Sequence, residues 1–330
     1  MTPKTSLKTL AALAGVSTST ASAVLNGKAE ALRISPTTIA RVLEIVAREG
    51  YKACPLARSL RTGRSETIGV IVPHISIPFF AELIQGVEEV ARSKGFQILI
   101  VDSSEDPAIE SQGIQNLIAR NVDGLIIASI ITPERWAQIR PPSIPLVFVD
   151  REVPGIQASS VASDAFTAAQ EACTRLLKKS SELVYLGRRP DTSSNRHRFD
   201  GYLAALKLAG LEQREDLILQ GDDNQEAGEA MMRAWLEKHH RAPGALFCSS
   251  LGHLRGGLRA LKAYLGELPK EMAIGTFDND ANLDFYVLPI LSIQQDCLGL
   301  GAQAMELLIN CRQHPNASRD LLLPARLIER

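Results

Sequence analysis

Two sets of residues in this sequence have the types and spacing to do chemistry. The first follows a series of short apolar runs: His74 and Ser76 after TIGVIVP, Ser103, Ser104 and Glu105 after FQILIVD, Asp150 and Arg151 after IPLVFV, Arg188 after ELVYLG, Ser249 and Ser250 after GALFC, and Asp278 and Asn279 after MAIGTF. Carboxylates, hydroxyls and guanidinium groups gathered in one cleft suit a polyhydroxylated ligand, and the arginines add the means to hold a phosphate. Taken singly, each is more readily a helix cap or a surface ion pair; as a set they point to a ligand site. The second set is VSTSTASAVLN, residues 16–26, in which Ser17, Thr18, Ser19, Thr20 and Ser22 place hydroxyls along a short periodic stretch. Hydroxyls can donate to or accept from base edges, and an alanine or threonine methyl can meet a thymine methyl.

Both sets need particular elements to position them. The apolar runs alternate with amphipathic stretches such as FAELIQGVEEVARSKG and PAIESQGIQNLIARN, a pattern of βαβ units and parallel sheets, which bind ligands beyond the carboxyl ends of their strands. The expected fold is α/β with two such sheets: a first lobe of about 66–161 and 292–322, a second of about 162–291 and 323–330, joined where PILSIQQD and LLLPARLIER cross back. Ahead of them, Ser6 can cap a helix carrying Leu7, Leu10, Ala11 and Ala14 on one stripe and stopped by Gly15; Ser17 can cap a second reaching about Leu25. Ala21, Val24 and Leu25 would face inward, and Ser19, Ser22, Ala23 and Asn26 outward. Two short helices joined by a glycine-containing turn make a helix-turn-helix, whose second helix enters the major groove of DNA. A third helix starts at Ser35-Pro36, carries Ile39, Val42, Leu43 and Val46 on one side, and stops at Gly50. This divides the chain into a head of residues 1–52, a linker of 53–65 with a short helix at CPLARSL, and a body of 66–330.

The charge follows that division. Residues 1–64 hold ten Lys and Arg against three Glu, a balance of +7; the whole chain is at -1, so the rest carries -8. A basic head on an acidic body is arranged for only the head to meet a polyanion. No apolar run is long enough to span a membrane and the N-terminus has no signal-peptide core, so a cytoplasmic protein is expected. The five cysteines are scattered and never in a CxxC pair, the six histidines lack metal-ligand spacing, and no P-loop, GxSxG, HExxH or GxGxxG motif occurs. Neither an enzyme nor a metal or cofactor protein is expected.

AGVSTSTASAVLN resembles the AGVSxxTVSRVLN signature of the lactose/galactose repressor family, and the spacing onward to LARSL and TIGVIVP is similar. LNGKAEALRIS, QILIVDSSEDPAIE, LGRRPDTSSNRHRFDGY, GALFCSS and MAIGTFDNDANLDF carry the resemblance through nearly the whole chain, towards the fructose-repressor branch. It implies a body similar to periplasmic sugar-binding proteins and a homodimer on double-stranded operator DNA, the dimer being a simpler expectation than a tetramer because no heptads follow PARLIER. It also implies a hinge helix whose Leu60 wedges into the minor groove, with Ala57 allowing close approach. Thr18, Ser19 and Ala23 match base-contacting positions, beside Ser17, Thr20, Ser22 and Asn26. Such contacts discriminate weakly, so sequence choice is expected to be shared with Leu60 and the deformability of the central step, while Lys28, Arg33, Arg58 and Arg61 supply phosphate contacts. In the body the resemblance implies Asp150, Arg151, Arg198, Asp278 and Gln295 as effector residues, joined by Ser76, Phe80, Glu105 and Ser250, and fructose 1-phosphate as the effector that lowers operator affinity. Two places depart from the family: Ser250-Leu251 stands where Asn-Asp is usual, and His74-Ile-Ser-Ile-Pro where Asp-x-x-Asn-Pro is commoner.

Overall fold

The computed structural model describes residues 6–51, 64–139, 144–286, 288–314 and 319–330. The chain divides into residues 1–65 and 66–330, each described here by itself. In the head, helices α1 (Leu7–Leu13), α2 (Thr18–Leu25) and α3 (Pro36–Glu49) each start at a serine whose hydroxyl accepts from the amide three residues on: Ser6 from Thr9, Ser17 from Thr20 and Ser35 from Thr38. Each cap satisfies one of the otherwise orphaned amides of a helix start. Gly15 and Gly50, at φ +62° and +58°, turn the chain out of α1 and α3 in the left-handed conformation that glycine adopts without strain. Leu10, Ala11, Ala14, Ala21, Val24, Val42 and Ile45 form the head core. Leu43, expected inside, is half exposed, and Ile45 takes its place. At 100° per residue Ile45 continues the stripe from Ile39 and Val42, whereas Leu43 falls on its flank.

In the body the chain runs β1 (Thr67–Val72), α4 (Pro78–Ser93), β2 (Gln97–Asp102), α5 (Pro107–Ala119), β3 (Leu125–Ile127), α6 (Pro133–Ile139), β4 (Leu146–Val149) and β5 (Ser159–Ser163). It continues through α7 (Ala165–Leu177), β6 (Leu183–Arg188), α8 (Ser193–Leu208), β7 (Ile218–Gly221), α9 (Gln225–His239), β8 (Ala245–Cys248), α10 (Leu251–Leu265) and β9 (Ala273–Phe277). It ends with β10 (Ile290–Gln294), α11 (Cys297–Gln313), β11 (Asp320–Leu323) and β12 (Arg326–Glu329). The strands form two sheets, ordered β11-β5-β4-β3-β1-β2 and β12-β10-β9-β8-β6-β7, in which only the β10–β12 pair is antiparallel among the described strands. Successive residues of one strand feed opposite cores. Ile68, Val70 and Val72 of β1 pack under α4 and α11, and Ile71 packs under α5; Leu183 and Tyr185 of β6 join the α7–α8 side, and Val184 and Leu186 the α9–α10 side. Helices on both faces bury the central strands and leave the carboxyl ends of the strands open for a ligand.

The chain passes between lobes after Ser163, Gln294 and Leu323, slightly later than the sequence boundaries, which would cut β5, β10 and β11 within the strand. A strand stays with one sheet because its ladder hydrogen bonds form cooperatively along its length. Helices α4 and α11 meet backbone to backbone: a Cβ on Gly86 would lie 2.1 Å from the Leu298 carbonyl oxygen, and one on Gly301 2.0 Å from that of Leu83. Those two glycines set how deeply the returning helix seats on the first lobe.

Candidate functional site

Strand ends build the body's cleft, and three of them do so through strained backbone. Ser104 and Glu105 after β2, Asp150 after β4 and Asp278 after β9 all have positive φ, between +50° and +69°. Non-glycine residues in that region cost roughly 1–2 kcal/mol each, a strain typical of ligand sites. Here it aims carboxylates. Glu105 accepts from Arg151 Nη1 at 2.9 Å and also from Arg188 Nη1, so one carboxylate from the first lobe ties an arginine of its own lobe to one of the second. Asp191 holds the other edge of Arg188 at 3.2 Å, and the Glu152 amide donates to Ser193 Oγ at 3.2 Å, a second link between lobes. Burial pushes the Glu105 carboxyl up, but the two arginines outweigh it and hold it below the ordinary range.

Deeper in, Arg198 of α8 is 7% exposed, lies 4.0 Å over the Phe277 ring, donates to the Ser249 carbonyl at 2.7 Å and stands 3.9 Å from Asp278. Gln295, at the second passage between lobes, donates to Asp278 Oδ1 at 2.6 Å. Asp150, Arg151, Arg198, Asp278 and Gln295 are thus brought together, with Phe80 under the Arg151 guanidinium at 5.9 Å. Burial pushes the Asp150 and Asp278 carboxyls up; Arg151 and Arg198 for the first, and Arg198 and Gln295 for the second, offset this only in part. An acid whose folded pKa is raised takes up its proton more readily in the native chain, so its contribution to stability falls as pH rises from its unfolded pKa through its folded one. Asp150→Asn is therefore expected to compare more favourably with wild type in melting temperature at neutral pH than at about pH 3, where the wild-type carboxyl is protonated, while weakening ligand binding. A melting-temperature difference that does not change between those pH values would contradict it.

Ser250 is buried and caps α10, but its hydroxyl points to a partner that sequence reasoning missed: it donates to Asp223 Oδ1 at 2.6 Å. His253 completes the group, its Nδ1 2.9 Å from Ser250 Oγ and 3.3 Å from Asp223 Oδ1, and its Nε2 3.0 Å from the Asp222 carbonyl. Burial raises the Asp223 carboxyl, and the His253 imidazole and Ser250 hydroxyl more than offset it; burial pushes the imidazole itself down. The loop after β7 thus supplies a carboxylate where Ser250-Leu251 lacks one. Ser76 stands apart, exposed on the loop between β1 and α4, and Asn279 is taken up structurally by the Ser292 hydroxyl at 2.9 Å. Among the described residues no group of three His, Cys, Asp or Glu could hold a metal ion, and no helix is long and apolar enough to cross a membrane.

In the head, the first turn of α2 presents its hydroxyls as expected. Ser17, Thr18 and Ser19 are exposed, and Ser17 Oγ lies 2.7 Å from Ser19 Oγ and 2.8 Å from Thr20 Oγ1, a small preformed network. Thr20 and Ser22 are half-buried; Asn26 turns its amide back to the Ser22 carbonyl. Ala23, expected to face outward, is buried at 7% exposure. The chain returns past it: Gly27 turns in the left-handed region and the Lys28 amide donates to the Ala23 carbonyl at 2.9 Å. Lys28 and Arg33 are exposed cations on that returning loop. Ala57, Arg58, Leu60 and Arg61 lie outside the described residues.

These features have counterparts in known proteins. Residues 6–53 match the family of bacterial regulatory proteins, lacI family, and residues 65–330 match the periplasmic binding proteins and sugar binding domain of LacI family. The sucrose operon repressor of Klebsiella pneumoniae is 35% identical over 93% of this chain and 92% of its own length. The catabolite repressor/activator of Escherichia coli K12 is 32% identical over 94% of this chain and 92% of its own. Among solved structures, the Cra transcriptional dual regulator of Pseudomonas putida in complex with fructose 1-phosphate superposes with a TM-score of 0.72 at 27% identity, covering 80% of this chain and 98% of that one. With a hydroxyl-bearing helix-turn-helix, a two-lobed body and a carboxylate–arginine cleft between its strand ends, the chain belongs to the LacI family of DNA-binding transcriptional regulators of sugar metabolism.

Proposed function

We propose that the protein works as a homodimer whose operator affinity falls when fructose 1-phosphate fills the cleft. The observation that carries this reading is the joining of Asp150, Arg198, Asp278 and Gln295 at the strand ends, where carboxylates and an amide suit sugar hydroxyls and the neighbouring arginines suit a phosphate. The fructose 1-phosphate complex of the Pseudomonas putida regulator supports the choice of ligand. Differential affinity for the closed cleft is what lets a ligand act on distant DNA contacts. Isothermal titration of the full chain with fructose 1-phosphate and with fructose tests it; no heat with the phosphate ester sinks the effector assignment. A neutral sugar is the second reading, favoured by the hold of Glu105 on both Arg151 and Arg188.

On the DNA side, the exposed hydroxyls of Thr18 and Ser19 can read bases only weakly, so Leu60 is the proposed main contributor to site choice, by wedging open the central step. Leu60→Ala is expected to weaken operator binding about tenfold or more, and Ser19→Ala only a few-fold, in an anisotropy titration. The reverse order would contradict this division. Dimerisation is supported by strand β2, the outermost strand of its sheet, where Leu99 and Ile100 are exposed, flanked by exposed Ile75, Ile77 and Ile109. An apolar edge strand is a surface that proteins cover.

A further inference from the structure

Glu105 does something unusual in this cleft. Its two carboxylate oxygens are shared between guanidinium groups from opposite lobes, Arg151 on one and Arg188 on the other. To reach between them the chain places two consecutive non-glycine residues, Ser104 and Glu105, in the left-handed region. Even so the match is incomplete. Arg151 is 6% exposed, yet its Nε makes no hydrogen bond and rests 3.4 Å from the Asp150 carboxylate. Asp191 holds the outer edge of Arg188 and Asp150 flanks Arg151, so Glu105 competes only for the two facing edges, where a carboxylate offers two oxygens and a phosphate monoester brings three with nearly twice the charge. The Glu105 side chain is also 23% exposed, so it has solvent to swing into when displaced.

We propose that Arg151 and Arg188 form a subsite for a phosphate monoester, and that Glu105 is its built-in occupant, which the phosphate of the ligand displaces. Glu105 occupies the facing edges of the two arginines while the site is empty and sets the threshold an anion must exceed to enter. The phosphate then takes over the arginine-to-arginine link between lobes, beside the hydrogen bond of the Glu152 amide to Ser193 Oγ. Neutral sugars, which bring no competing charge, leave Glu105 in place. The sugar half of the ligand rests on the effector reading above; the anion half rests only on these three side chains.

The test is isothermal titration of the full-length protein, wild type, Glu105→Gln and Arg188→Ala, with inorganic phosphate, fructose 1-phosphate and fructose. Removing the competing charge is expected to tighten inorganic phosphate and fructose 1-phosphate about tenfold relative to fructose in Glu105→Gln, and Arg188→Ala is expected to weaken both phosphates by a similar factor. Unchanged or weaker phosphate binding in Glu105→Gln overturns the proposal, since Glu105 would then position the arginines instead of competing for them. Should Glu105→Gln fail to fold, Arg188→Ala decides: phosphate binding indifferent to that loss also overturns it. Failure of the effector reading looks different, because the wild type would then bind fructose 1-phosphate no more tightly than inorganic phosphate while Glu105→Gln still gained affinity for both.

Discussion

Replacing Leu99 and Ile100 together with aspartate is expected to turn the protein into a monomer and to lower operator affinity by on the order of 10²–10⁴-fold, the advantage that two linked heads gain from binding one site. Both residues sit on β2, which among the described strands pairs with β1 alone, so it has an open ladder edge and exposed apolar side chains beside it. Two carboxylates on such an edge cannot be buried without large desolvation cost, so a second copy would no longer seat there. Leu99 and Ile100 are consecutive and face opposite sides of the sheet, 38% and 42% exposed, so a cooperative melt of the variant separates loss of the dimer from loss of the fold. Sedimentation equilibrium reads the oligomeric state and anisotropy reads DNA binding. A variant that stays dimeric would place the interface elsewhere.

Arg198→Met is expected to weaken effector binding about a hundredfold or more while leaving operator binding without effector intact, giving a regulator that stays on DNA. Arg198 is the cation facing Asp278 at 3.9 Å, it eases the burial of Asp150, and it holds the Ser249 carbonyl at 2.7 Å. Methionine keeps an unbranched apolar stem and removes the guanidinium that lies over Phe277, with its charge and donors. Breaking a buried ion pair from one side costs roughly 3–5 kcal/mol in stability, a loss visible in a thermal scan. Release from DNA at the wild-type effector concentration would remove Arg198 from the ligand's partners.

Features decided locally were legible in the sequence. Ser6, Ser17 and Ser35 as caps and Gly15 and Gly50 as stops depend on neighbours within one turn, and the structure has each of them. The strand-end residues were legible because a parallel sheet fixes where its ligand edge lies. What depends on distant chain was not. Ser250 and Asp223 are 27 residues apart, and β7 is a four-residue ILQG with little β character, so the acid behind it drew no notice. Ala23 is covered by a loop whose path follows from Gly27, which helical periodicity cannot express. QILIVD is apolar enough to be a central strand, yet it lies at an edge with alternate burial missing. A sequence reports how apolar a strand is, not which surface covers it.

The most direct test of the central claim, that cleft occupancy governs DNA binding, is a footprint of the full-length protein on DNA it selects from a random pool, titrated with fructose 1-phosphate. Two protected half-sites about a central step are expected, with protection lost as the phosphate ester saturates the wild type and kept in Arg198→Met. Protection that persists in the wild type through saturating fructose 1-phosphate would contradict it.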